Sequence, residues 1–237
     1  MINWIHDLRS KRNFTLWFSV CVMSTGILGI LLLILRALFG DTPGPSLFIT
    51  FLYFTSQSNI LVTLIVLLFL LGYSSKKWFK YIAFIGLLNI VITGVIFHIL
   101  ITPYMSNVTF TNHILHTVNP LLYLIFYYVI VTDFVELKKF WISLIYPLVY
   151  LSSVYIIIEP MFGNMLDRLL PDFAGARYVY PFLDPRLYDN QIYGLLLFNL
   201  GILAPLICIL AFLLILLKTK IERSLKLNIK KTTQMRT

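Results

Sequence analysis

Charge is scarce in this chain: Asp, Glu, Lys and Arg together make up 12% of its 237 residues. A soluble domain holds about a quarter of its residues as charged groups to cover its surface. Half that share, with 59% hydrophobic residues and a mean hydropathy of +0.87, leaves too little polar surface to face water on all sides. Lipid must cover much of the molecule. Cysteine is as sparse. Cys21 and Cys208 both fall within apolar runs, where they act as small apolar side chains, so no disulfide framework or CxxC metal spacing is expected. The four histidines, His6, His98, His113 and His116, form no HExxH and have no acidic cluster beside them, and no cofactor or metal is expected. Alternating segments of about ten residues, the mark of a membrane barrel, are absent. No inverted repeat and no broken helix is evident, which disfavours a secondary transporter.

Six apolar runs are present, at roughly 14–39, 48–72, 79–101, 113–132, 140–158 and 191–217. A helix needs about 20 residues to cross about 30 Å of hydrocarbon, and every run is near or above that length. Backbone groups in lipid must bond within their own segment, so each run reads as a helix. The expected fold is all-α: a polytopic bundle of six transmembrane helices in a single domain, 1–217, followed by a basic tail, 218–237. The first run is too long for a signal peptide and has no small-residue cleavage site, so it reads as a retained anchor.

Placing the N-terminus inside puts 15 of the 19 basic residues on the inner side. They include Arg9, Lys11, Arg12, Lys76, Lys77, Lys80, Lys138, Lys139 and the seven of the tail. The positive-inside rule therefore predicts cytoplasmic N- and C-termini. The tail is expected to lie on anionic lipid, at about 1 kcal/mol per basic residue near the surface. Binding of nucleic acid is not expected, because no aromatic stacking platform accompanies the charge. The outer side keeps one long loop, 159–190, with Tyr178, Tyr180, Pro181, Phe182 and Pro185, which reads as an interfacial cap or as a lid over a lipid-accessible cavity.

Two polar stretches interrupt the apolar runs. One is Thr55-Ser56-Gln57-Ser58-Asn59; the other runs from His113 through His116 and Asn119 to Pro120. Ionisable groups inside a span mark functional sites by default. Spans two and four both enter from outside, so the two stretches share the outer half of the bilayer, together with His98. Thr55 and Asn59 are four apart; His113, His116 and Asn119 follow at spacings of three, so each set shares a helix face. A hydroxyl with imidazole as its base permits nucleophilic acyl transfer, with the amides orienting the ring or a developing oxyanion. No carboxylate lies at that depth, so any such site would be a dyad, with Thr55 and His116 as its candidate members and Asn59, Asn119 and His113 as supporting polar groups. The same residues also suit plain structural roles. A Thr bonds back to its own helix, Asn and Ser join helices, and Pro120 kinks span four and frees a carbonyl for His116.

The motifs Tyr53-Phe54-Thr55, His113-Ile114-Leu115-His116-Thr117 before Pro120, and Tyr178-Val179-Tyr180-Pro181-Phe182-Leu183 occur in an order and spacing that resembles the androgen-induced membrane-protein family and its bacterial relatives. The resemblance runs from span two to span six. Animal members are six-pass hydrolases of fatty acid esters of hydroxy fatty acids, acting through an intramembrane threonine and histidine. What it implies here is Thr55 as nucleophile and His116 as base, acting on a membrane lipid or other lipophilic ester. The chain departs from the family in the polar run after Thr55, where Ser56 or Ser58 offers another hydroxyl and the amides a headgroup contact. The rival expectations are a binder or carrier of a lipophilic ligand and a membrane acyltransferase. Abundant Ile, Leu, Phe, Lys and Asn with few Ala suit an AT-rich bacterial genome, hence a bacterial plasma membrane.

Overall fold

A computed structural model describes residues 3–39, 47–105, 107–171 and 173–234. The described residues form helices and short turns, with no strand among them, in an all-α bundle of the multi-pass membrane type. A short α1 (Asn3–Ser10) leads into α2 (Arg12–Phe39). Then come α3 (Leu47–Leu52), α4 (Phe54–Leu70), α5 (Phe79–Ile101), α6 (Phe110–Ile130), α7 (Leu137–Leu169) and α8 (Ile192–Lys226), whose backbone stays helical to Gln234. The apolar windows of α5 and α6 are 56% and 61% buried, against 17–22% for α2, α7 and α8, so α5 and α6 stand at the centre with α4 beside them. Leu206, Ile209, Leu213 and Leu217, three to four residues apart on α8, form an exposed apolar stripe, which lipid can cover where water cannot.

Among the described residues five helices, not six, are long and apolar enough to cross a membrane. The difference lies in the second expected span, 48–72. Tyr53 takes an extended backbone (φ −69°, ψ 135°) and splits it into α3 and the 17-residue α4, so a broken helix is present after all. Two other boundaries also move. Helix α7 runs on to Leu169, leaving a shorter loop than expected, and α8 passes residue 217 without a break.

Four helices contain a wide π turn: Phe97–Ile101, Ile114–Val118, Val154–Ile158 and Leu197–Leu203. In every case a proline follows two residues later, at Pro103, Pro120, Pro160 and Pro205. Proline has no N–H to donate and its ring crowds the carbonyl four residues back, so the preceding turn opens. At Pro120 that carbonyl belongs to His116, and it presses on α5 where only Gly94 leaves room: a Cβ there would lie 3.0 Å from it.

A fifth π turn, Phe126–Ile130, ends α6 with no proline near. Its loose carbonyls are instead drawn to two cations. Arg9 donates to the carbonyls of Val129 (2.6 Å) and Tyr128 (3.1 Å), and Lys218 to those of Tyr127 (2.9 Å) and Val131. Glu222 pairs with both, at 2.6 Å from Arg9 and 2.8 Å from Lys218. Two cations at a helix C-terminus complement its dipole as well as its unpaired oxygens. Lys218 is therefore buried in the bundle and not spread on a surface, and both terminal segments meet at one end, called here the basic end. The loop between α7 and α8 closes the other.

Candidate functional site

The break at Tyr53 builds the site. Ending α3 leaves the carbonyls of Thr50, Phe51 and Leu52 without helical partners, and such groups must be satisfied where water is excluded. Ser56 Oγ donates to Thr50 O (2.6 Å), Gln57 Nε2 to Phe51 O (3.1 Å) and Tyr150 Oη to Leu52 O (3.0 Å). Two of the polar residues after Thr55 are thus engaged in holding the break. Ser58 is engaged as well, bonding Phe54 O (2.6 Å) and the Thr93 hydroxyl (2.6 Å). Of Thr55, Ser56 and Ser58, Thr55 is the one that stands in the wall of a cleft, together with Thr93 and Tyr150.

That cleft, of about 230 Å³, lies between α4, α5, α7, α8 and the loop. Small-molecule pockets run from about 300 to about 1000 Å³, so the cleft stands just below the small end of that range. Ile92, Leu148, Leu151 and Leu203 are among the residues of its apolar wall; Thr55, Thr93, Tyr150, Tyr180 and Asn199 are its polar ones. Thr55 occupies the first turn of α4, where backbone N–H groups have no helical acceptor and the helix dipole is positive. One of those groups, the N–H of Thr55 itself, donates to Tyr180 Oη at 3.4 Å.

His116 is buried one layer behind Thr93. Its ring stacks on Phe97 (3.8 Å between centroids, 9° between planes), and Nδ1 lies 3.4 Å from the Thr93 carbonyl. A carbonyl only accepts, so this contact places the ring proton on Nδ1 and leaves Nε2 with the lone pair that a base needs. No hydrogen bond joins His116 to Thr55 among the described residues. A single amide links their helices: Asn59 Nδ2 donates to Thr55 O (2.9 Å) and to Leu115 O (3.3 Å), while its Oδ1 accepts from Asn119 Nδ2 (2.8 Å). Thr55, Asn59, Asn119 and His116 are thus brought into one neighbourhood. His113 is not; it is exposed, and His98 pairs with Thr117 (2.9 Å) on the exposed side.

The loop is pinned as a roof. Arg177 pairs with Glu159 (2.7 Å), and Arg186 with Asp184 (2.7 Å) and Asp167 (3.3 Å). Tyr155 Oη donates to Leu183 O (2.7 Å) and Asn199 Nδ2 to Phe182 O (2.9 Å), so α7 and α8 hold it from both sides. Thr93 and Asn199 join the site without being singled out in the sequence, although Thr93 sits four residues after Asn89 in an apolar run, the same signal that marks Thr55 and Asn59. Tyr150 carried no such signal, because one more tyrosine in an aromatic-rich chain looks like any other.

Comparison of the chain with protein-family models, with curated proteins and with solved structures finds no match.

Proposed function

We propose that this protein is an intramembrane hydrolase of fatty acyl esters, with Thr55 as nucleophile and His116 as base. The observation that carries the reading is the placement of Thr55, a hydroxyl on the positive end of a helix broken inside the bundle, in the wall of a mostly apolar cleft. An acyl chain would lie along the apolar wall with its ester carbonyl at Thr55. Thr55 Oγ attacks the carbonyl carbon as His116 takes the hydroxyl proton; the alcohol leaves with that proton, and water then releases the acid and restores Thr55. To act so, the imidazole must leave the Thr93 carbonyl or work through one water, a looseness common in sites without substrate. The resemblance of the three motifs to the androgen-induced family supports the same assignment. The host membrane in this reading is a bacterial plasma membrane, with anionic lipid around the basic end.

The absence of a Thr55–His116 hydrogen bond favours a second reading, a binder or carrier of lipophilic molecules that uses the same cleft without chemistry. A fluorophosphonate probe on the detergent-purified protein separates the two. Labelling that disappears in Thr55→Ala and falls about 10²- to 10⁴-fold in His116→Ala is the result expected of a hydroxyl activated by a base. A folded, monodisperse protein that takes no label would sink the hydrolase and leave the binder.

A further inference from the structure

Acyl transfer through Thr55 would place a negative charge on the ester oxygen, and a tetrahedral intermediate of this kind needs a hydrogen-bond donor aimed at it. A side chain with a proton to give stands beside Thr55: Tyr180. It lines the cleft, is 7% exposed, and its hydroxyl oxygen already accepts the N–H of Thr55 at 3.4 Å. A phenol oxygen that accepts one bond still has its own O–H to give, and the hydroxyls of Thr55 and Tyr150 are its polar neighbours. Accepting from Thr55 also polarises the O–H and makes it the stronger donor. We propose that Tyr180 is a catalytic residue that donates a hydrogen bond to the oxyanion formed when Thr55 attacks an acyl ester, an assignment that rests on the hydrolase reading.

The surroundings fix the phenol and little else. The ring stacks on Phe182 (5.2 Å, 15°) and stands edge-on to Tyr53 (5.9 Å, 77°), so it has few other places to go. The backbone before it is strained to aim it: Val179, a branched residue, sits at φ +69°, a region such side chains rarely enter. Gly175, at φ +77°, passes so close to Pro181 that a Cβ would lie 2.5 Å from its Cα. Strain of this kind persists where the surrounding structure over-determines it, and it gathers at functional sites. Burial pushes the Tyr180 phenol above its usual range, so it keeps its proton at neutral and mildly alkaline pH and remains a donor. During the attack the Thr55 Oγ–carbonyl carbon bond forms, the carbonyl π pair moves to oxygen, and the Thr55 proton goes to His116. When the intermediate collapses, the pair returns and the alcohol departs. Tyr180 donates throughout and loses no proton.

The test uses the full-length protein in detergent, with p-nitrophenyl octanoate as substrate and the fluorophosphonate probe as a count of active sites. Tyr180→Phe keeps the ring and removes only the hydroxyl. The expected result is a kcat about 10²- to 10³-fold lower with KM little changed, since an oxyanion contact is made in the transition state alone. A phenol that merely caps α4 would lower the melting temperature or raise KM and leave the kcat of the folded fraction near wild type; that result overturns the proposal. Should Tyr180→Phe fail to fold, 3-fluorotyrosine introduced at position 180 retains the hydroxyl and makes it more acidic. A changed kcat then supports the donor, and an unchanged one overturns it. Activity in wild type and Tyr180→Phe alike, absent in Thr55→Ala, removes Tyr180 only. A wild type that neither hydrolyses the ester nor takes the probe removes Thr55 and Tyr180 together.

Discussion

Asn89 is fully buried in the centre of α5, and neither its amide nitrogen nor its amide oxygen has a hydrogen-bond partner among the described residues. An unsatisfied buried polar group costs about 1–3 kcal/mol, and an apolar residue of similar size removes that cost. Asn89→Leu is therefore expected to raise the melting temperature in detergent; a clear fall would mean that the amide is satisfied in solution. Polar residues in apolar runs are the part of the site that is legible in the sequence, because hydrocarbon makes each of them conspicuous. Thr55, Asn59, His116 and Asn119 could be picked out that way. Their partners could not. Ser56 and Gln57 bond the ends of α3 only because Tyr53 breaks the helix, and nothing about a tyrosine between Leu52 and Phe54 announces an extended backbone. His116 likewise pairs with a main-chain oxygen, which has no letter in the sequence.

Helices were the most legible feature, since length and hydropathy settle them, yet their irregularities were not. The four prolines were visible; that each opens a π turn two residues earlier depends on what the freed carbonyl meets. At Pro120 it meets the bare backbone of Gly94, which lets α6 approach α5 while His116 turns onto Phe97. Pro120→Ala returns an N–H to position 120, able to bond the His116 carbonyl and close the turn. We expect the variant to melt no lower than wild type and to take the fluorophosphonate label more slowly, because the imidazole is rotated away. Equal labelling at an equal melting temperature would show that the turn has no bearing on the site. The break between α3 and α4 has the opposite logic: it needs no proline, since Ser56, Gln57 and Tyr150 together satisfy the three carbonyls it leaves.

Across the whole molecule the site and the terminal segments lie at opposite ends. At the basic end Glu222 is the only carboxylate bonded to Arg9 and Lys218 among the described residues, and Lys218 has no exposure at all. Removing one partner of a buried ionic cluster costs about 3–5 kcal/mol, so Glu222→Leu should lower the melting temperature sharply and free α1 for proteolysis. An unchanged melting curve would mean that the carbonyls at the end of α6 suffice for both cations. Charge counting anticipated that both terminal segments share a side, but not that a residue of the tail is part of the core. The contact also has a consequence for how the chain is made. Arg9 and Glu222 stand 213 residues apart, so during synthesis Arg9 is finished long before its counter-ion exists. Until Glu222 is made, α1 is held to α6 through the bonds from Arg9 to main-chain carbonyls. A chain stopped between residues 218 and 222 would hold both cations and lack the carboxylate that pairs with them, so the ion cluster closes only when nearly all of the last helix has been made.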